Sequence, residues 1–301
     1  MSFASEVKME LCREPVGKKF CALAEAYGVL LYCAAFSGKE IRVTTGNALF
    51  ADRLPRLFCK AFGFGISPLP EISRGGKQSF VIDDGKKIAS VFAAYGYDAE
   101  GVVQHHINLA VLEDACCKAS FIRGAFLAGG SITDPAKGYH MELVTGYSSV
   151  SRETVSILQE LGFSPKYISR NGSYIAYFKQ SEAIEDLFTL IGAPLSAMEI
   201  MSAKVEKDMR NAVNRRVNCD SANADKIVSA AQQQLEAIRR LDREFGIYQL
   251  PEKLQETALM RIANPEASLA DMAALSDPPV SKSCLSHRLK KIIEMAEKLP
   301  E

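Results

Sequence analysis

Metal-binding signatures are missing from this sequence of 301 residues. Its eight cysteines (Cys12, Cys21, Cys33, Cys59, Cys116, Cys117, Cys219 and Cys284) form no C-x-x-C pair, and its four histidines lack ligand spacing. The common zinc motifs are thereby excluded, and neither a metal nor any other cofactor is expected. Scattered cysteines read instead as reduced thiols of a cytoplasmic protein. Net charge is missing too, because 36 basic residues balance 36 acidic ones. Bulk charge therefore attracts no polyanion, and any nucleic-acid footprint must be local. No apolar run reaches the length of about 18 residues that a membrane span needs. The opening stretch MSFASEVKMELCREP carries acids and no long apolar run, so no signal peptide is expected. What is present is ordinary for a globular protein: 48% hydrophobic and 24% charged residues, on a chain long enough for two domains.

Five short landmarks recur in order. AEAYG ending at Gly28 is echoed by SFIRG ending at Gly124, TTGN (44–47) by VTGY (144–147), and FGF (62–64) by LGF (161–163). SFVI (79–82) is echoed by SYIA (173–176), and FAAYG ending at Gly96 by FTLIG ending at Gly192. The offsets run from 94 (Ser79 to Ser173) to 100 (Thr44 to Val144). Such an ordered set points to a duplicated unit, at about 20–96 and 116–192. Each copy reads as a helix (20–33; 118–128), a strand (41–45; 139–145) and a second helix (48–61; 151–161). One or two strands follow (around 79–83; 174–178), then a helix closing at Gly96 or Gly192. The alternation in YHMELVT is a strand signature.

The stretch IRGAFLAGGS (122–131) reads as a helix that ends at Gly129-Gly130 yet carries Gly124 inside it. An interior glycine costs about 1 kcal/mol relative to alanine. It is used where another backbone comes close. Gly28 holds the equivalent place in the first copy. Two such helices on a pseudo-twofold axis would cross at Gly28 and Gly124, where a Cβ would hold them apart.

Paired helices with a central glycine, each opening a mixed helix-strand half, resemble the LAGLIDADG homing-endonuclease fold. On residues 122–131 the motif's glycine falls on Gly124, its small residue on Ala128 and its closing glycine on Gly130. The resemblance implies that the metal-binding acids of an active nuclease would stand at Gly129 and, in the first copy, at Cys33. Such acids hold divalent cations for phosphodiester hydrolysis. Glycine has no ligating side chain, and cysteine is a poor ligand for Mg²⁺. Asp134 lies beyond the motif. Both positions are degenerate, and no catalytic residue is expected.

A narrower resemblance covers essentially the whole chain. CCKASFIRGAFLAGGSITDPAKGYHMELV, NRRVNCDSANADK and LPEKLQETALMRIANPEASLADMAALSDPPVSKSCLSHRLKKI closely resemble the WhiA family of bacterial transcription regulators. That family couples a degenerate LAGLIDADG domain to a C-terminal helix-turn-helix. It occurs mainly in Gram-positive bacteria and is linked to sporulation, cell division or chromosome segregation. The resemblance implies a sequence-specific DNA-binding transcriptional regulator that is not an enzyme. Double-stranded DNA would be its partner, a second transcription factor a further candidate, and the nucleoid its place in the cytoplasm. An active endonuclease and a protein-interaction scaffold are the rival readings. Oligomeric state stays open, with a monomer expected, because the duplication already supplies twofold symmetry. The expected fold class is α+β: a duplicated LAGLIDADG-type domain over 1–200, a helical connector over 201–249 and an all-α helix-turn-helix domain over 250–301.

The C-terminal segment reads as three helices. Pro251 opens the first, in the favourable first-turn position. It carries Leu254, Ala258, Leu259 and Ile262 and stops at Asn264-Pro265. Ser268 caps a short helix over 269–275. SDPP (276–279) forces a turn, and Ser281 or Ser283 caps the third helix. There Leu285, Leu289, Ile292, Ile293, Ala296 and Leu299 share one face. Ser283, His287, Lys290, Lys291, Glu294 and Lys298 lie opposite, with Ser286 and Arg288 on the flanks. This pattern suits a recognition helix in a major groove, with Ser281, Lys282, Ser283, Ser286, His287, Arg288, Lys290 and Lys291 as candidate DNA contacts. On pattern alone, a solvated basic helix of a small bundle is the alternative.

In the connector, 203–216 is helix-like and locally basic, NCDSAN (218–223) reads as a turn and capping cluster, and 224–245 as a polar helix ending at Gly246. Asn211, Asn214, Arg215, Arg216, Asn218 and Asn223 are candidate DNA or inter-domain contacts. Such side chains read adenine and guanine edges or hold phosphates; equally, they cap helices and tie the connector to the first domain. His105-His106 reads as a strand or surface pair.

Overall fold

Residues 2–69, 76–97 and 105–299 are described in the computed structural model. They divide into two units, Met1–Asp208 and Met209–Glu301. The first unit opens with α1 (Phe3–Arg13), capped by Ser2, and then runs through two similar halves. The first half comprises α2 (Lys19–Leu31), β1 (Ala35–Phe36), β2 (Ile41–Thr45), α3 (Ala48–Phe62), β3 (Gln78–Ile82) and α4 (Gly85–Tyr95). The second comprises α5 (Ala115–Gly129), β4 (Gly130–Ile132), β5 (Met141–Thr145), α6 (Ser148–Glu160), β6 (Lys166–Arg170), β7 (Ser173–Phe178) and α7 (Ser181–Ile191).

Each half contributes one antiparallel sheet, in the order β1-β2-β3 and β4-β5-β7-β6. Val43 faces Phe80 in the first sheet, and Leu143 faces Ala176 in the second. Local signals repeat with the backbone. Thr45 Oγ1 accepts from Asn47 N at 3.0 Å, and Thr145 Oγ1 from Tyr147 N at 3.3 Å. Left-handed glycines follow the paired helices: Gly63 and Gly162, then Gly96 and Gly192. Side chains that alternate along β5 are buried at Met141, Leu143 and Thr145, as the sequence pattern predicts.

α2 and α5 lie side by side at the centre and are apolar almost all round, as a fully enclosed helix must be. Ala22, Ala26, Val29, Leu30, Phe121, Ile122, Ala125 and Phe126 are all buried. The helices touch backbone to backbone. A Cβ on Gly28 would stand 2.1 Å from Phe121 O and 2.7 Å from Ala125 N. One on Gly124 would stand 2.0 Å from Glu25 O. All three distances are far inside van der Waals contact, so only glycine allows this approach.

α8 (Pro194–Glu244) begins in the first unit and ends in the second. It corrects the expected turn at 218–223, where the helix is unbroken. The cluster contains no proline or glycine, and each Asn, Asp or Ser costs only a few tenths of a kcal/mol in a helix. Ala222 within the cluster and Ala224 after it favour continuation. In the second unit, α9 (Glu252–Ala263), α10 (Leu269–Leu275) and α11 (Lys282–Glu297) follow. Pro251 is the N-cap of α9 rather than its first residue. Leu254 and Ala258 of α9 pack with Ile238 and Leu241 of α8 and with Leu289, Ile292 and Ala296 of α11. Met272 and Ala273 of α10 bury against Leu285. Ser268 and Asp271 form a reciprocal capping box at the start of α10. The buried Arg261 closes the α9–α10 turn by donating to Asn264 O at 3.2 Å and Ala267 O at 2.7 Å. Among the described residues, no helix is long and apolar enough to cross a membrane.

Candidate nucleic-acid interface

α11 separates its two faces cleanly. Ser281 is its N-cap and accepts from Cys284 N at 3.2 Å. Leu285, Leu289, Ile292 and Ala296 are buried, with Ile293 and Leu299 packed at the margin. Ser281, Lys282, Ser283, Ser286, His287, Lys290 and Lys291 are all exposed and line the opposite side and the helix start. Arg288 differs from the other candidate contacts. It is half-buried, and its Nη1 donates to Thr257 Oγ1 of α9 at 3.4 Å, so part of its donor capacity serves packing. Lys290 Nζ lies 3.9 Å from Glu294 one turn on, an exposed pair of little energetic weight. The arrangement is a short capped helix, a turn, and a second helix that presents Ser281, Lys282 and Ser283 at its start and Lys290 and Lys291 two turns later.

Asn211, Asn214, Arg215, Arg216, Asn218 and Asn223 are exposed along α8. Because α8 is continuous there, none of them caps a helix end. Their visible bonds are local, Arg215 Nε to Asn211 O at 3.3 Å and Asn223 Nδ2 to Cys219 Sγ at 3.7 Å.

Cys33 and Gly129 stand at the C-terminal ends of α2 and α5. Cys33 Sγ lies 3.0 Å from Leu30 O and 3.1 Å from Ala35 O, two carbonyls that share its single hydrogen, and burial pushes the thiol up to about 12. A Cβ on Gly129 would meet Val144 O at 2.5 Å and Tyr32 Cδ1 at 3.0 Å, so no side chain fits there without displacing backbone. Neutral hydrogen bonds occupy the surroundings: Tyr32 Oη donates to Thr154 Oγ1 at 2.9 Å, and Thr145 Oγ1 to Leu31 O at 2.8 Å. His105 corrects the expectation of a strand or surface pair. It is half-buried outside any strand, stacks on Tyr147 at 3.8 Å, and sets Nε2 2.6 Å from Phe36 O. Burial lowers its pKa, favouring the neutral ring. His106 is exposed, and its carbonyl accepts from Tyr27 Oη at 2.8 Å. Asp134 sits in the turn after β4, where it accepts from Ala136 N at 2.9 Å.

The structure also assembles a group that motif spacing misses. Cys21, Cys116 and Cys117 come together at the N-terminal ends of α2 and α5. The usable signal was the duplication itself, since Cys21 and Cys117 are separated by the same interval as Gly28 and Gly124.

Comparison with known proteins follows this division. Residues 118–210 match the model of the WhiA LAGLIDADG-like domain, and residues 213–296 that of the WhiA C-terminal HTH domain. The chain is 38% identical to the "Probable cell division protein WhiA" of Ruminiclostridium cellulolyticum, over 99% of this chain and 98% of that one. It is 35% identical to the protein of the same name from Clostridium perfringens, again over 99% and 98%. Full-length DUF199/WhiA from Thermatoga maritima shares the fold at a TM-score of 0.61, with 24% identity and complete coverage of both chains. The N-terminal LAGLIDADG domain of DUF199/WhiA matches at a TM-score of 0.50 and 20% identity, covering 64% of this chain and 90% of that one. With both domains present in order and relatives aligned end to end, the chain belongs to the WhiA family.

Proposed function

We propose that this protein is a sequence-specific DNA-binding transcriptional regulator of the cell-division or sporulation type, without nuclease activity. The observation that carries the reading is α11: a buried apolar stripe on one side, and exposed Ser283, Ser286, His287, Lys290 and Lys291 on the other. In this reading the start of α11 reaches base edges in the major groove, and the later lysines take phosphates. The exposed Asn and Arg side chains of α8 supply further contacts. The relatives' shared name points to cell division as the process. The missing side chain at Gly129 and the internally bonded Cys33 support the non-enzymatic reading. The protein works as a monomer on nucleoid DNA, alone or beside a second transcription factor.

Binding titrations over a range of salt concentrations test the assignment. Lys290→Ala and Lys291→Ala should each weaken binding across sequences and lower the salt slope by about one. An unchanged slope in both removes these lysines from the interface. Ser283→Ala and His287→Ala should change sequence preference more than overall affinity. Plasmid DNA should stay uncut in Mg²⁺ or Mn²⁺. A genome-wide binding map with no enriched sites would favour a protein-interaction scaffold.

A further inference from the structure

Three sulfurs converge where α2 and α5 begin. Cys21 stands in the first turn of α2, and Cys116 and Cys117 in the first turn of α5. Their Sγ atoms all lie within 4.8 Å of one another, and those of Cys21 and Cys116 are 3.6 Å apart. A tetrahedral ion with metal–sulfur bonds of about 2.3 Å sets its sulfurs about 3.8 Å apart, so small side-chain adjustments suffice. No carboxylate or imidazole belongs to the cluster among the described residues. Three thiols without a hard oxygen donor select a soft cation and disfavour Mg²⁺ or Ca²⁺.

The surroundings suit such an ion. Cys117 is buried, Cys21 half-buried and Cys116 exposed, so the cluster has a closed inner side and an open outer one. The open side faces a cleft of about 450 Å³ bordered by Glu14, Cys21, Cys116, Ser120 and Arg123. That cleft admits an ion and leaves room for a solvent molecule as a further ligand. The cluster is at the opposite ends of α2 and α5 from Cys33 and Gly129, so it is separate from the vestigial nuclease positions.

We propose that Cys21, Cys116 and Cys117 bind one thiophilic d¹⁰ cation of the zinc(II) or copper(I) class, which pins the central helices of the two halves together.

The test uses the full-length protein, reduced and kept free of oxygen. Cobalt(II) serves as spectroscopic probe, and Zn²⁺ and Cu⁺ are then titrated separately against a chromophoric chelator to show which the site prefers. One equivalent of cobalt should produce a sulfur-to-metal charge-transfer band, and the preferred ion should abolish it. Cys116→Ser should lose the band and weaken binding by at least about 100-fold, more than a change outside the ligand shell usually does. Because Cys116 is exposed, that variant should keep its fold, which a thermal melt followed by circular dichroism verifies. Cys59→Ser, at an exposed thiol outside the cluster, should bind as the parent does. A wild-type protein with no band, or a full band in folded Cys116→Ser, overturns the proposal. So does air oxidation to a Cys21–Cys116 disulfide in a protein that takes up neither ion when reduced.

Discussion

The two halves of the duplicated unit share an order of helices and strands, with one strand more described in the second, but not an interior. Position 25 on α2 corresponds to position 121 on α5, one repeat of 96 residues later. In the first half that position is Glu25, only 1% exposed, gripped by Arg53 of α3 through bonds of 2.6 and 2.8 Å. Arg123 adds a longer contact at 3.4 Å, and Arg53 also donates to Cys12 O and Glu14 O. In the second half the position is Phe121, fully buried and packed edge-on against Tyr27. One half thus stabilises its central helix with a desolvated ion pair and the other with an aromatic ring. What both retain is the crossing glycine. Backbone contact constrains the two copies equally, whereas side-chain interiors diverge wherever volume and hydrogen bonding remain satisfied.

That contrast can be broken experimentally. The largest effect is expected from Glu25→Ala, which leaves Arg53 as an uncompensated buried cation and should cost about 3–5 kcal/mol in denaturant unfolding. A loss below 1 kcal/mol would mean that water or Glu14 takes over the guanidinium. Next come Gly28→Ala and Gly124→Ala, each driving a methyl into backbone of the other helix. Both should cost about 3 kcal/mol, the upper part of the overpacking range. If one is tolerated and the other is not, the crossing is less symmetric than the two close approaches indicate.

Gly129→Asp sharpens the comparison at the other helix ends. An acid there meets Val144 O and Tyr32, so it should destabilise by about 1–3 kcal/mol and confer no DNA cleavage with Mg²⁺. Cleavage in that variant would show that an acid at this one position is enough for nuclease chemistry on this scaffold. The smallest effect concerns caps. Asn47 accepts from Phe50 N at 3.0 Å at the start of α3, while Tyr147 makes no side-chain cap for α6. Asn47→Ala should cost about 1 kcal/mol. Tyr147→Ala should lose the His105 stack but no cap, which separate chemical melts of the two variants would distinguish.

Much of this was legible in sequence because it is local. The strand at 141–145 shows in its alternation, the helix at 269–275 in Ser268 and its flanking turn, and the α11 stripe in its spacing. The duplication was readable because left-handed glycines and strand-ending Thr-Gly steps are needed again wherever the backbone repeats. The α1 helix went unread, having no counterpart in the repeat. The unbroken course of α8 was misread, since Asn, Asp and Ser suit a turn as well as an exposed helix, and nothing in 218–223 decides between them.

The amino-acid order by itself determined the periodicities, the caps and the need for glycine at two equivalent helical positions, since each depends on neighbours within a turn or two. Only the folded chain decided what lies across from what. It gave Glu25 to Arg53, closed the space at Gly129 and brought Cys21 to Cys116. The physical reason is range: backbone preference acts over a few residues, whereas burial, ion pairing and ligand geometry act between segments that only packing brings together.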